Sequence, residues 1–447
     1  MREANRWTVP ALLAIGAGST VAVAAEPTQQ QLMEQLQALQ AKVQSLETQQ
    51  KASSADVAAT IDTILRDAER RSAMFAETGG ITAGHEDGKF FIRSADGAYS
   101  LQPGMQFQFR GVANSADDAK RGDSSSTDTG FEVRRMKLWF GGNAITPDLT
   151  YLFRWEADSD GGGITLEDAW VKYKMADRWA VQVGQFKDPT FHEEVTSSTA
   201  QLAVERSLAN ELIGGGVTDY LQGVAVIYGD KADPMMVTWT VNDGANSDNT
   251  TYEDDDSYWG ISGRVDYKLM GDWKAYKDFT AKGTTDDLLV VGAGAFYDQA
   301  PDVDGMLFTV DAQYENTGGL GAYGALLVNY VDPNTPGEDT TTNWGLVGQV
   351  GYMLNPAWEV FGRGSMVKFD EDIVIGAESE DTFYELSVGV NYYLGNNGSA
   401  GHRAKITVDL NYLPNGAPNE GGGLEGLNYM ETGEDQIVLR AQFQLLL

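Results

Sequence analysis

The chain has 447 residues, no cysteine, and 65 acidic against 32 basic side chains for a net charge of −33. That charge excludes an electrostatic nucleic-acid binder, which needs a basic face. The missing thiols exclude disulfides, thiolate metal sites and a cysteine nucleophile. At 42% hydrophobic and 10% aromatic the chain is too apolar for disorder, and its three histidines (His85, His192, His402) are too scattered for zinc or triad chemistry.

In chain order, Arg2 and Arg6 precede an apolar stretch over 9–23. The small residues Val23, Ala24 and Ala25 end it, so 1–25 reads as an export signal cleaved beside Ala25. Residues 28–50 contain no Gly or Pro. Leu32, Leu36, Leu39, Val43 and Leu46 are spaced there as the a/d seam of heptads. A second helical pattern (Val57, Ile61, Ile64, Leu65, Ala68) continues over 54–75. Because the apolar stripe is narrow, 26–78 is expected to be a periplasmic coiled-coil stalk; a lone amphipathic helix packed on its own domain is the other reading.

Beyond Gly80 the apolar period changes from helical to two. Tyr151, Phe153 and Trp155 alternate with Leu152, Arg154 and Glu156. Phe308, Val310, Ala312 and Tyr314 alternate with Thr309, Asp311, Gln313 and Glu315, and Ile406, Val408, Leu410 and Tyr412 with Lys405, Thr407, Asp409 and Asn411. About sixteen such segments of roughly nine to twelve residues follow Tyr99, the length of a tilted membrane strand. Short joins near 146–148, 176–177, 318–319 and 355–356 alternate with long acidic or Gly-rich joins near 115–130, 187–219, 243–256 and 414–435. One join, 271–287, should be short and is not. Trp139, Trp179, Trp259, Trp344, Trp358, Tyr392 and Tyr393 fall near strand ends, as interfacial girdles would. The expected fold for 79–447 is therefore an antiparallel outer-membrane β-barrel of about 16 strands, apolar side to lipid. A soluble β-sandwich or propeller would also alternate, with its faces reversed.

The segments FEVRRMKLWFG from Phe131, LEDAWVKYK from Leu166, VGQFKDPTFHEEVTSS from Val183 and VERSLANEL from Val204 resemble the phosphate-selective porin O/P family. The likeness spans roughly 97–447 and is strongest through Gly216. The resemblance implies a homotrimeric barrel of sixteen strands whose third long loop, 187–219, folds into the lumen. It also implies a basic ladder lining the pore. Strand alternation nominates Arg110, Arg135, Lys137, Arg154, Lys172, Lys174, Arg264, Arg363, Lys405 and Arg440, joined by Lys187 and Arg206 from the loop. The same alternation turns Glu156, Asp168, Asp266, Asp311, Glu315, Glu385 and Asp409 inward. The loop adds Asp188, Glu193, Glu194, Glu205 and Glu211, so phosphate selectivity does not transfer with the resemblance.

The glycine triplets at 161–163, 214–216 and 421–423 lack the lysine and strand-to-helix setting of a phosphate loop. Acidic pairs such as Asp158 and Asp160 lack EF-hand spacing. No enzyme activity, metal or cofactor is expected. The expected function is passive diffusion of small hydrophilic solutes or ions, anions such as phosphate among them, through a water-filled bore bathed by outer-membrane lipid. The alternative is a structural tether reaching the cell wall through the N-terminal stalk.

Overall fold

The computed structural model describes residues 80–86, 88–116, 127–157, 159, 161–245, 247–251, 259–371, 381–418, 424–430 and 435–447, with Lys42 and Arg66. The chain divides into two compact units, 1–74 and 75–447. In the first, Lys42 and Arg66 are helical. The export signal and the remainder of the heptad stretch lie outside the described residues.

The second unit opens with a hairpin, β1 (Ile81–Glu86) and β2 (Lys89–Ser94). Sixteen strands follow among the described residues. The first eight are β3 (Ser100–Ala116), β4 (Thr127–Ala144), β5 (Thr146–Ala157), β6 (Ile164–Ala176), β7 (Trp179–Lys187), β8 (Tyr220–Tyr228), β9 (Met235–Asn242) and β10 (Trp259–Met270). The rest are β11 (Leu288–Gln299), β12 (Val303–Glu315), β13 (Leu320–Pro333), β14 (Thr341–Asn355), β15 (Trp358–Lys368), β16 (Thr382–Tyr393), β17 (Ala404–Leu413) and β18 (Gln436–Leu446). Each pairs antiparallel with its chain neighbours, and β18 returns to β3 with Gln442 opposite Arg110. The sheet therefore closes and leaves no edge among these strands. A closed ring of this strand number encloses an aqueous bore.

Period-two alternation decides which side chains meet the bore. On β17, Lys405, Thr407, Asp409 and Asn411 are buried inside while Ile406, Leu410 and Tyr412 are exposed outside. On β18, the buried Arg440 and Gln442 alternate with the outward Leu439 and Ala441. The lengths of β3 to β18 run from 8 to 18 residues, wider than the sequence pattern indicated, because β3 and β4 keep pairing out to Ser115 and Thr127.

Trp179, Trp259, Trp344 and Trp358 are 42–46% exposed on the outer face near strand ends. Trp139 and Tyr393, expected in the same girdles, instead point inward. Trp139 shares the parity of Arg135 and Lys137. Tyr393 follows Asn391, and its buried hydroxyl donates to Glu359 at 2.7 Å.

Two irregularities alter what the bore sees. In β4 the register slips between Gln108 and Phe109 of its partner, leaving Arg134 as an extra residue. In β6 it slips opposite Arg154 and Trp155, leaving Glu167 extra. A bulge of this kind turns two consecutive side chains to one face. Arg134 with Arg135, and Glu167 with Asp168, both reach inward.

Candidate functional site

The join between β7 and β8, 188–219, lies inside the barrel. Its neck closes through Asp188, whose carboxylate accepts from Thr218 at 2.9 Å and whose N–H donates to the Asp219 carbonyl. Within the loop, Glu193 accepts from both the N–H and the hydroxyl of Ser207 at 2.8 Å. Arg206 donates to the carbonyls of Glu193, Glu194 and Thr196. Ser207 then caps the short helix Leu208–Ile213 by accepting from the Asn210 N–H. Leu202, Leu208 and Ile213 are buried against Leu327, Val347, Phe361 and Val367 of the barrel wall. Glycine makes the approach possible: a Cβ at Gly294 would lie 2.2 Å from the Thr190 carbonyl, and one at Gly345 would lie 2.8 Å from Ile213.

Charged groups of the wall clamp this loop. Glu205 takes three arginines: Arg110 at 2.6 Å, Arg134 at 2.8 Å and Arg135 at 2.7 Å. Arg363 donates to the Glu205 carbonyl at 2.7 Å and pairs with Glu385, whose other oxygen accepts from the Leu208 N–H. Arg440 pairs with Asp409 at 2.8 Å, and Asp409 accepts from the Val204 N–H. Lys405 donates to the Gln201 carbonyl at 2.7 Å. Arg264 is held by Asp311 and Asp266 and donates to the Thr190 carbonyl. Thus Arg110, Arg135, Arg264, Arg363, Lys405 and Arg440 of the nominated ladder are buried, each on an acidic or carbonyl partner.

The remaining nominees differ in burial, Lys137 and Arg206 being buried and Arg154, Lys172, Lys174 and Lys187 more exposed. Lys137 is buried between Glu156, at 3.1 Å, and Glu167. Lys187 pairs with Glu194 and, at 3.0 Å, with the half-exposed Asp219. Arg206 reaches Glu194 at 3.2 Å. Arg154 makes one 3.2 Å contact with Asp168, and its Nε has no partner. Lys172 lies over Trp170 at 5.3 Å, and Lys174 is exposed two residues further toward the short-turn rim. Neither of these lysines has an ion-pair partner among the described residues.

The join 271–287, expected to be short, enters from the short-turn rim and meets the loop. Trp273 and Phe279 are buried. Tyr276 stacks flat on His192 of the loop, with ring centroids 3.9 Å apart and planes 2° apart. His192 faces Gln313 at 2.7 Å, and Gln313 donates to the Asp278 carbonyl at 2.6 Å. Burial, then the Arg264 charge, pushes the His192 imidazole down to about 4, so it is neutral at physiological pH.

Sequence alternation missed Arg134 and Glu167, because a bulge breaks the period on which it relies. The adjacent like-charged pairs Arg134-Arg135 and Glu167-Asp168 were the available signal. It also missed Tyr276, since nothing local says that a long join folds inward.

The model of the family described as phosphate-selective porin O and P matches residues 105–419. No curated protein matches the chain. The anion-selective porin of Comamonas acidovorans superposes with a TM-score of 0.52 at 11% identity, covering 78% of this chain and 100% of that one. OprB of Pseudomonas putida, in its high-pH structure, gives 0.53 at 12% identity over 79% and 95% of the two chains. OmpF of Salmonella typhi, in complex with daunomycin, gives 0.52 at 15% identity over 78% and 99%. These likenesses establish the fold.

Proposed function

The chain belongs to the phosphate-selective porin O and P family and forms an outer-membrane channel, and from that premise we propose that it passes small hydrophilic solutes with a preference for anions. The observation that carries this reading is the pair of lysines on the inner face of β6, Lys172 and Lys174, that no carboxylate of the wall or loop engages among the described residues. Most wall arginines are neutralised by carboxylates that hold the loop, whereas among the described residues Lys172 and Lys174 have no ion-pair partner and Arg154 has one. Unpaired charge near a constriction sets which counter-ion enters. The preference is for small anions as a class rather than phosphate in particular. An arginine clamps phosphate through paired donors, and here Arg110, Arg135 and Arg440 are already on carboxylates. Short turns mark the periplasmic rim of such barrels, so Lys172 and Lys174 lie toward the periplasmic side.

Planar-bilayer recording of the purified full chain under a KCl gradient tests the proposal. We expect an anion-sided reversal potential that moves toward cations in Lys172→Ala and Lys174→Ala. The preference should fade from 0.1 M to 1 M salt as the Debye length contracts from about 10 Å to about 3 Å. A cation-sided potential in the unaltered protein overturns it. The homotrimer implied by the family belongs to the same proposal, and in these recordings it is read as current that appears and closes in threes.

A further inference from the structure

A strip of alternating aromatic and charged groups crosses the inner face of β4 to β6. Trp139 sits opposite Arg154, and Arg154 opposite Asp168. The Arg154 guanidinium lies 5.7 Å from the Trp139 ring centre. Asp168 contacts Arg154 at 3.2 Å and accepts from the Trp170 Nε1–H at 3.1 Å. Lys172 Nζ lies 5.3 Å from the Trp170 ring centre. Trp139 rests against β3 where Gly104 leaves room, since a Cβ there would meet the indole at 2.2 Å. Both indoles are half-buried on the inner face, each with a cation of the strip beside its ring. Asp168 orients Trp170 and Arg154 together, and the Arg154 Nε is buried without a hydrogen-bond partner among the described residues.

Resting on the channel reading above, we propose that this strip is a binding subsite for flat aromatic carboxylates of benzoate type. The ring of such a solute stacks on an indole while its carboxylate reaches Arg154 or Lys172. Phosphate would leave both indoles unused, a neutral ring would leave the cations unmatched, and a cationic solute would be repelled by them.

The test is the chloride current through single channels of the full protein, with benzoate, acetate or cyclohexanecarboxylate added. Benzoate should interrupt the current with a saturating concentration dependence. Cyclohexanecarboxylate, equal in charge but without a π face, should need roughly fivefold more, and acetate more still. Trp139→Leu and Trp170→Leu should each raise the half-blocking benzoate concentration roughly fivefold. Gly104→Ala should do the same by displacing the Trp139 ring while leaving every charge in place. Lys172→Ala should weaken the block and Lys172→Arg restore it. Equal potency of benzoate and cyclohexanecarboxylate, or unchanged benzoate block in conducting Gly104→Ala and Trp170→Leu channels, overturns the subsite while the channel reading stands. Absence of chloride current in the unaltered protein overturns both.

Discussion

Glu211, on the loop helix Leu208–Ile213, controls the charge of the constriction near neutral pH. Burial, then repulsion from Glu194, pushes its carboxyl up to about 8. Glu194, although buried, is held well below the ordinary carboxylate range by Arg206 and Lys187, and buried Glu205 by Arg134, Arg135 and Arg110. Those two therefore stay ionised while Glu211 keeps its proton until pH climbs through about 8. Between pH 7 and about 9 the constriction gains one negative charge. Anion preference should decline over that interval in the unaltered channel and decline less in Glu211→Gln, as read from reversal potentials. Identical pH courses would remove Glu211 from the permeation path. The Glu205 cluster answers a different need. Stripping one partner from a buried ion pair costs about 3–5 kcal/mol, so these arginines serve the position of the loop before they serve any solute.

Among the elements, two joins entering from opposite rims narrow the bore by meeting inside it. The loop 188–219 supplies His192, and the join 271–287 supplies Tyr276 and Phe279, which pack around the imidazole and against Tyr323. A neutral imidazole suits this setting, since a charged one would be desolvated beside Arg264. Phe279→Ala should cost about 3–5 kcal/mol through the cavity it leaves. The lost support should appear as easier proteolysis within 188–219 and a larger single-channel conductance. Unchanged conductance together with unchanged protease resistance would show that the inner join does not brace the loop.

For the whole molecule, the controlling pattern is that the barrel strands turn apolar side chains outward and polar ones toward the bore. Leu439 is 46% exposed on the outer face of β18, one residue from the fully buried Arg440. Leu439→Lys should lower stability in lipid vesicles by about 2–4 kcal/mol if the site lies at mid-membrane depth. Denaturant titration after folding into vesicles measures this, and a stability equal to the unaltered protein would mean that this face is not in lipid. The closed sheet, its strand number and the inward parity of Arg110, Lys405, Asp409 and Arg440 were legible in the chain, because alternation is local and survives any packing. The third loop was legible through its length and its family resemblance. Which cations remain unpaired was not, since Glu205, Glu385 and Asp409 lie far along the chain from the arginines or loop amides they meet. Nor were the bulges at Arg134 and Glu167, which change the facing of two charges without changing composition. The amino-acid sequence alone thus determined a barrel with a wet, charged interior, through a period of two that each strand carries by itself. Only the tertiary structure decided where that charge is cancelled and where it is left for a solute, because cancellation depends on distances across the bore that no local pattern encodes.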